Sequence, residues 1–244
     1  MRSPVTGVVF QKRRYRSQAG PAAGLEDREE TRMKIGILGS GLMGGKLGKF
    51  WAACGHDVTF AYARSQAKLA RLAAECGGAD GSVAEAVDGA EAVLLSVHWS
   101  RIDDVLAQAG DLAGQVVLNC CVPLNDSNSD LVLGPTTSGA EELAALRPKA
   151  RWVSCFNTSP SESFAPVFAR KGTDTPPQLL VYGDDVGAKD VAAGLIRDIG
   201  FEPLETGGLR TGRFAEPFAL VTAELAYDQP GGPALTYRFD KLRG

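Results

Sequence analysis

A glycine-rich turn lies between the first predicted strand and the first predicted helix. The residues Gly39, Ser40, Gly41, Leu42, Met43 and Gly44 fit the pattern G-x-G-x-x-G, between an apolar run and an amphipathic stretch. In this pattern the first glycine allows a tight turn, the second lets a pyrophosphate approach the backbone, and the third allows close packing of helix on strand. A helix that begins here also offers free amides and a positive dipole to phosphates. The turn therefore predicts a dinucleotide-binding site formed by these six residues.

Positively charged residues follow the second predicted strand, where a site for NAD normally carries an acid. An acidic side chain about 20 residues beyond the turn accepts hydrogen bonds from ribose hydroxyls in such sites. Here the segment instead holds Ala63, Arg64, Ser65 and Lys68, and it has no acidic residue. Arginine and lysine suit a 2′-phosphate, which a carboxylate would repel. These four residues predict NADP(H) as the cofactor, the alternative being ordinary surface cations at the start of a solvated helix.

Two further loops are predicted to line the nicotinamide half of the site, because the carboxyl ends of parallel strands form one crevice. Trp99 offers a flat apolar wall, and His98 is either a proton donor or, as we favour, a lining residue. The adjacent Cys120 and Cys121 have no general base near them in sequence, so we expect them to line the site rather than to react. We assign no catalytic residue. The predicted cofactor contacts in these loops are Ser96, Val97, His98, Trp99, Asn119, Cys120, Val122 and Pro123.

The elements that position these residues alternate between short apolar strands and longer amphipathic helices. Strands are predicted at 34–38, 57–62, 92–97, 116–119, 152–156, 179–182 and 202–206, with helices at 43–54, 65–75, 82–87, 102–109, 141–146, 189–199 and 214–225. Near-continuous apolar strands in such an alternation are typical of a parallel sheet covered by helices on both faces. We therefore predict an α/β fold, a Rossmann-type doubly wound parallel sheet with a small C-terminal α/β cap.

The chain is predicted to divide into three parts. Residues 1–32, with a basic cluster followed by an acidic one, are expected to be a flexible extension or a mis-assigned start, with a targeting segment as the alternative. A chain that starts at Met33 should then fold and bind cofactor normally. Residues 33–155 form the predicted NADP-binding Rossmann domain, and residues 156–244 form a small C-terminal α/β region that completes the substrate site.

Composition excludes several classes of protein. The 244 residues are 44% hydrophobic and 23% charged, with a formal net charge of −3. No apolar run approaches the roughly 20 residues that span a bilayer, so a membrane protein is not expected. A slightly acidic chain argues against general nucleic-acid binding. Five cysteines without metal-ligand spacing favour reduced thiols, no bound metal and a cytoplasmic location.

The motifs together resemble a known family. The turn at 39–44, the pattern at 63–68, the tryptophan after the strand 92–97, and the stretches 153–160 and 181–185 are similar to NADPH-dependent reductases of coenzyme F420, an 8-hydroxy-5-deazaflavin. The resemblance covers most of the chain between Met33 and Leu225. It implies hydride transfer between NADPH and the deazaflavin, with Arg213 or Arg210 at the acidic tail of this acceptor. The deazaflavin would lie over Asn157, Thr158, Ser159, Pro160 and Ser161.

Other functions stay open. The same architecture serves a broader group of NADP-dependent oxidoreductases and the reductase domains of ferric-reducing membrane proteins, so a flavin, a quinone, a ferric complex or an imine would fit the same half-site. β-Hydroxyacid dehydrogenases and imine reductases need a longer helical domain than the 89 residues after Cys155 supply, which disfavours that class. A redox sensor that holds NADPH without turnover would keep the same turn and Arg64. The apolar surface of the last predicted helix favours a homodimer.

Overall fold

An eight-stranded sheet forms the centre of the protein. The computed structural model describes residues 32–242. The strands are β1 (Lys34–Leu38), β2 (Asp57–Ala61), β3 (Ala79–Asp80), β4 (Ala92–Leu95), β5 (Val116–Asn119), β6 (Arg151–Ser154), β7 (Gln178–Tyr182) and β8 (Glu202–Gly207). Their order across the sheet is β3-β2-β1-β4-β5-β6-β7-β8. The chain order therefore reverses between β1 and β4, and ligands of open α/β sheets bind outside the carboxyl ends of the strands at such a point.

Helices cover both faces of this sheet. They are α1 (Leu42–Ala53), α2 (Gln66–Cys76), α3 (Val83–Val87), α4 (Ile102–Ala109), α5 (Gly139–Leu146), α6 (Phe164–Phe168), α7 (Val186–Ile199) and α8 (Gly212–Tyr227). One core, which includes Trp51 and Ile196, lies between the sheet and α1, α2, α6 and α7. A second core, which includes Val105 and Leu143, lies under α3, α4, α5 and α8. Residues on one strand alternate between these two cores, as the two-residue period of a strand requires.

The predicted fold class is confirmed, and the structure adds the direction of the last two strands. β1 to β6 are parallel, whereas β7 is antiparallel to β6 through the pair Ser154 and Tyr182. β8 is parallel to β7, so the C-terminal α/β region extends the same sheet. The predicted boundary at residue 155 falls where this extension begins and stays a prediction. Residues 1–31 of the predicted N-terminal extension lie outside the described residues.

Two elements of the structure are missing from the sequence prediction. β3 has two residues, and α6 has five with a proline inside, so neither is long enough to show a period. Short 3-10 turns also precede three helices, at 99–101, 161–163 and 209–211. These short turns lead directly into α4, α6 and α8.

The surface of α8 is apolar along one side. Phe214, Val221 and Leu225 are 63%, 52% and 51% exposed. The homodimer expected from this helix stays a prediction. Among the described residues, no helix combines the length and the apolar character needed to cross a bilayer.

Candidate cofactor and acceptor site

The glycine-rich turn joins β1 to α1 in the conformation that its motif predicts. Gly39 has a φ of +107°, and an added Cβ would collide with the carbonyl oxygen of Ser96, so glycine is required there. Gly44 packs α1 against the sheet, since a Cβ would collide with the carbonyl oxygen of Gly39. Gly41 differs, because no protein atom lies within 4 Å of an added Cβ. The open side of Gly41 is therefore the face on which a pyrophosphate can approach the backbone.

The first turn of α1 offers an anion site. Its N-cap residue, Gly41, makes no side-chain cap, and no acidic side chain lies in the first turn. The free amides and the dipole of such a helix favour phosphate. Neighbouring strands hold the turn, because the Ser40 hydroxyl donates to the Ala61 carbonyl at 3.2 Å and the Ser96 hydroxyl donates to that of Gly39 at 2.6 Å. Ser40 and Ser96, both predicted cofactor contacts, thus use their hydroxyls to fix the turn.

The predicted cations meet at the N-terminus of α2. Arg64 and Ser65 are exposed and Lys68 is half-buried. Neither cation forms an ion pair or a side-chain hydrogen bond within residues 32–242. Ser65 is the N-cap residue of α2, yet its hydroxyl makes no cap hydrogen bond, and the first turn holds no acid. Two cations, a hydroxyl and a helix N-terminus therefore present uncommitted donors in one place, which suits a phosphate dianion.

Sequence reasoning misses Tyr62, which follows β2. It has a φ of +58°, which is uncommon for a residue other than glycine. Its carbonyl accepts the amide of Ser40 at 3.3 Å, and its hydroxyl donates to the carboxylate of Asp104 on α4. Burial and this hydrogen bond raise the pKa of Tyr62 to about 12. Tyr62 thus ties the end of β2 to both the glycine-rich turn and α4, and no pattern in the sequence signals it.

Apolar side chains follow the ends of β4 and β5, where open α/β sheets bind their ligands. Val97, Trp99 and Val122 are half-buried, so each leaves part of its surface accessible. Trp99 and Pro123 pack against the start of α5, since an added Cβ at Gly139 would lie 3.1 Å from the Trp99 ring and 3.2 Å from Pro123. Two of the predicted lining residues, Trp99 and Pro123, therefore lie close together. They present an apolar surface against which a flat ring can lie.

His98 and Asn119 are held by the backbone around them. Nδ1 of His98 accepts from the amide of Ser100 at 3.2 Å, and Nε2 lies 3.3 Å from the carbonyl oxygen of Asn125. Asn119 is 1% exposed, and its Oδ1 accepts from the amide of Cys121 at 2.9 Å. Both side chains therefore shape the two loops. Their contacts with a cofactor stay predictions.

The cysteines at this end of the sheet are buried thiols. Cys120, Cys121 and Cys155 are between 0% and 8% exposed. Burial raises the pKa of all three thiols, that of Cys121 to about 12. A thiol with a raised pKa stays protonated at neutral pH and is a poor nucleophile. This agrees with a lining role for Cys120.

The loop after β6 carries the predicted acceptor contacts and is almost fully buried. It begins at Phe156, which has a φ of +64°. Asn157 is 8% exposed, and its Nδ2 donates to the hydroxyl of Tyr182 at 2.7 Å. Thr158 is 0% exposed, and its hydroxyl lies 2.6 Å from that of Tyr237. Strand β7 and the C-terminal segment therefore hold this loop in place.

Two buried polar atoms of this loop have no hydrogen-bond partner among the described residues. They are Oδ1 of Asn157 and Oγ of Ser159. Leaving a buried polar group unpaired costs about 1–3 kcal/mol. Pro160 and Ser161, the other predicted contacts, are also buried. The loop therefore has unused hydrogen-bonding atoms that could pair with the polar groups of a ligand.

Arg213 is committed to a neighbouring carboxylate. Its Nε and Nη2 donate to the two carboxylate oxygens of Glu141 at 2.8 and 2.7 Å. Arg210 instead lies with its guanidinium 5.6 Å from the centre of the Phe214 ring and forms no ion pair within the described chain. Of the two arginines predicted for an acidic tail, Arg210 therefore keeps its donors available.

Glu216 is a buried carboxyl group that sequence reasoning misses. It lies in α8, is 2% exposed, and accepts from the amides of Gly139 and Ala140 at 2.9 and 3.0 Å. It therefore anchors α8 to the start of α5, beside the wall formed by Trp99 and Pro123. The signal in the sequence is an acid within an otherwise apolar stretch of helix. Burial raises the pKa of Glu216 to about 7, although the two amides oppose this shift.

The stability of the protein should fall as the pH rises through the range in which Glu216 ionises. Its pKa is raised from 4.5 to about 7 in the folded state, so the folded protein binds this proton more tightly than the unfolded chain. The contribution is fully present below about pH 4.5 and is lost as the pH rises through 7, a decline of about 3 kcal/mol in the free energy of unfolding. Glu216→Gln should remove this decline, as measured by urea unfolding across that range.

The matched control for this prediction is Glu224→Gln, at an exposed position of the same helix. This variant should keep the decline seen in the unaltered protein. An equal pH dependence of stability in Glu216→Gln and Glu224→Gln would show that Glu216 does not ionise in this range.

Comparisons with known sequences agree with this geometry. Residues 34–123 match the family described as NADP oxidoreductase, coenzyme F420-dependent. The metalloreductase STEAP3 of Rattus norvegicus is 28% identical over 187 residues, which cover 77% of this chain and 36% of that protein. The match thus spans little more than a third of the length of this relative.

Solved structures share the fold. A protein from Arthrobacter sp. FB24, assigned as an F420-dependent NADP reductase, has a TM-score of 0.76 at 24% identity, over 86% of this chain and 100% of that one. A reductive aminase from Aspergillus terreus, solved with NADPH4, cyclohexanone and allyl amine, has a TM-score of 0.57 at 18% identity, over 80% of this chain and 62% of that one.

The fold is therefore of the Rossmann type, shared with reductases whose structures are solved. The segment that carries the glycine-rich turn, the cations and the loops after β4 and β5 matches the F420-dependent NADP oxidoreductase family, so the resemblance found in the sequence is confirmed for residues 34–123.

Proposed function

We propose that the protein transfers a hydride between NADPH and a planar acceptor, and that this acceptor is coenzyme F420. The observation that carries the proposal is the pair of buried, unpartnered polar atoms on Asn157 and Ser159. They lie in the loop after β6, and β6 is the neighbour of β5, whose own loop lines the apolar crevice. A fused ring with an apolar face and a polar edge would use both surfaces. A deazaflavin is a ring system of this kind.

The residues present fit NADP(H). The amides at the start of α1 would hold the pyrophosphate, and Arg64, Ser65 and Lys68 would hold the 2′-phosphate. The loops at 96–99 and 119–123 would hold the nicotinamide half. The cofactor, when bound, supplies the hydride. In this proposal residues 33–155 bind the cofactor and residues 156–244 complete the acceptor site.

The side chains of the site orient two rings and exclude water from between them. Hydride transfer between rings asks for a separation of about 3–3.5 Å and for dry surroundings, and the chemistry belongs to the two cofactors. Val97, Trp99 and Val122 supply the apolar surface. Within the described crevice His98 is tied to the backbone and the thiols of Cys120 and Cys121 are protonated, which supports a transfer that needs no strong acid or base.

An acceptor screen tests this proposal. Purified protein and NADPH are mixed with coenzyme F420, a flavin, a quinone, a ferric complex or a cyclic imine, and the oxidation of NADPH is followed by its absorbance. We expect the highest kcat/KM with coenzyme F420, together with loss of its visible absorbance. Rapid reduction of another acceptor while F420 stays oxidised would contradict the proposed substrate. Tight binding of NADPH with no acceptor reduced would favour the alternative of a redox sensor that holds NADPH without turnover.

A further inference from the structure

A cluster of polar side chains lies between α1 and the loop after β6. It comprises Lys46 on α1, Ser161 and Glu162 in the short 3-10 turn of the loop, and Tyr227 at the end of α8. Lys46 follows Met43 by three positions, so the two share one face of the helix. Ser161 follows the unpartnered Ser159 by two positions. The cluster therefore connects α1, one turn beyond the glycine-rich turn, with the proposed acceptor loop.

Lys46 is held at this loop by a hydrogen bond. Its Nζ donates to Oγ of Ser161 at 2.9 Å, and Ser161 is 5% exposed. The side chain of Lys46 is itself 30% exposed, so most of it is removed from water. An ammonium group has three donors, and one of them is used here.

The charge of Lys46 is only loosely paired. Its Nζ lies 3.8 Å from Oε1 of Glu162, near the outer limit of an ion pair, whereas Oε2 of Glu162 accepts from the Tyr227 hydroxyl at 2.8 Å. Partial burial raises the pKa of Glu162, but the Tyr227 hydrogen bond helps hold it below its ordinary value. Partial burial and the carboxylate raise the pKa of Tyr227 to about 12, so this hydroxyl stays a donor at neutral pH. Oε2 of Glu162 also accepts from the Ser161 hydroxyl at 3.3 Å, so Glu162 is engaged mainly by Tyr227 and Ser161, and the Lys46 ammonium stays next to the loop without a close carboxylate partner.

We propose that Lys46 supplies positive charge to the acceptor site and stabilises the acceptor once it is reduced. This inference rests on the proposed function. An acceptor that takes a hydride gains two electrons and one hydrogen nucleus as NADPH becomes NADP⁺, so its charge falls by one. A proton from solvent can follow later. The Lys46 ammonium, next to the loop that holds the acceptor, favours the reduced anion over the oxidised ring.

Binding measurements with both redox forms of coenzyme F420 test this role. Titrations in the absence of oxygen, followed by fluorescence, compare the unaltered protein with Lys46→Met, Lys46→Arg and Lys49→Met. Lys46→Met should weaken binding of the reduced form by about tenfold or more, the effect of one charge-assisted contact, and that of the oxidised form by much less. Lys46→Arg should retain most of the preference for the reduced form.

Lys49→Met is the matched control, because Lys49 lies on the same helix but pairs with Glu75 at 2.8 Å on α2. It should leave the affinities for both forms unchanged. All four proteins should share one melting temperature and one dissociation constant for NADPH.

Two results would overturn the inference about Lys46. One is an equal loss of affinity for both redox forms of coenzyme F420 in Lys46→Met. The other is a loss of stability in this variant that is also present in Lys46→Arg. Either result would show that Lys46 only supports the fold by linking α1 to the loop. Normal reduction of coenzyme F420 by the Lys46→Met variant would overturn the proposed role of Lys46 and leave the proposed function intact. A protein that reduces and binds no acceptor would overturn the proposed function as well.

Discussion

Replacing Gly41 by Val should abolish NADPH binding while the protein stays folded. The backbone of Gly41 has φ −77° and ψ −154°, which any residue adopts, and an added Cβ meets no protein atom within 4 Å. The valine side chain would instead fill the face on which the pyrophosphate approaches the helix amides. We expect the dissociation constant for NADPH to rise by at least about 100-fold, which is a loss of roughly 3 kcal/mol in calorimetric titration.

Two other glycines of the same turn and helix provide the controls. An added Cβ at Gly45 lies 3.6 Å from Leu72, an ordinary contact, so Gly45→Ala should bind NADPH normally. Gly39→Val should lose stability, because the positive φ and the collision with Ser96 strain the fold itself. Normal NADPH affinity in a folded Gly41→Val protein would mean that the pyrophosphate does not lie over this turn.

Replacing Arg64 by Ala should weaken the binding of NADPH and leave the binding of NADH almost unchanged. Arg64 has no ion-pair partner among the described residues and stands beside the free hydroxyl of Ser65. Each charge-assisted contact with a 2′-phosphate is worth roughly 1.5–3 kcal/mol, and NADH offers no such phosphate. The dissociation constant for NADPH should therefore rise by about tenfold or more, with little change for NADH.

Arg71→Ala is the matched variant on α2, where Arg71 pairs instead with Glu75 at 3.6 Å. It should leave the affinities for NADPH and NADH unchanged. If Arg64→Ala weakened both cofactors equally, the arginine would be supporting the fold of this region rather than selecting the phosphate.

Local signals in the sequence are sufficient for the core of the fold and for the conformation of the glycine-rich turn. The run Lys34–Leu38 and the stretch 102–109 show clear periods, and the structure contains both with those bounds. The glycine motif implies a conformation as well as a composition, and Gly39 has the positive φ that the motif requires. Helix starts are less well predicted. α5 begins at Gly139 rather than 141, because the hydroxyl of Ser138 caps it.

Features that depend on contacts between residues far apart in the sequence cannot be predicted from local sequence patterns. Nothing local reports that β7 is antiparallel to β6, since strand direction is set by the path of the intervening loop. The bond between Arg213 and Glu141 joins residues 72 positions apart. The contacts of Glu216 with the start of α5 are equally remote in sequence. The unpartnered atom of Asn157 is visible only once the loop is packed against Tyr182.

The arrangement as a whole explains how a hydride could be transferred without a dedicated acid or base. In the proposed site, charged groups would lie at the edges, with Arg64 and Lys68 at one end and Lys46 beside the proposed acceptor loop. The centre, around Trp99 and Val122, is apolar. Such a division lets charge fix the orientation of two large ligands while the reacting surfaces stay dry.

Isotope transfer tests the central claim most directly. NADPH labelled with deuterium at the transferable position of its nicotinamide ring is mixed with the protein and coenzyme F420, and the reduced deazaflavin is analysed by mass spectrometry. Direct transfer between two rings predicts that the deuterium appears in the reduced deazaflavin, from one face of the nicotinamide only and without exchange with solvent. Reduced deazaflavin that carries solvent hydrogen instead, or NADPH that keeps its label while tightly bound, would contradict the account.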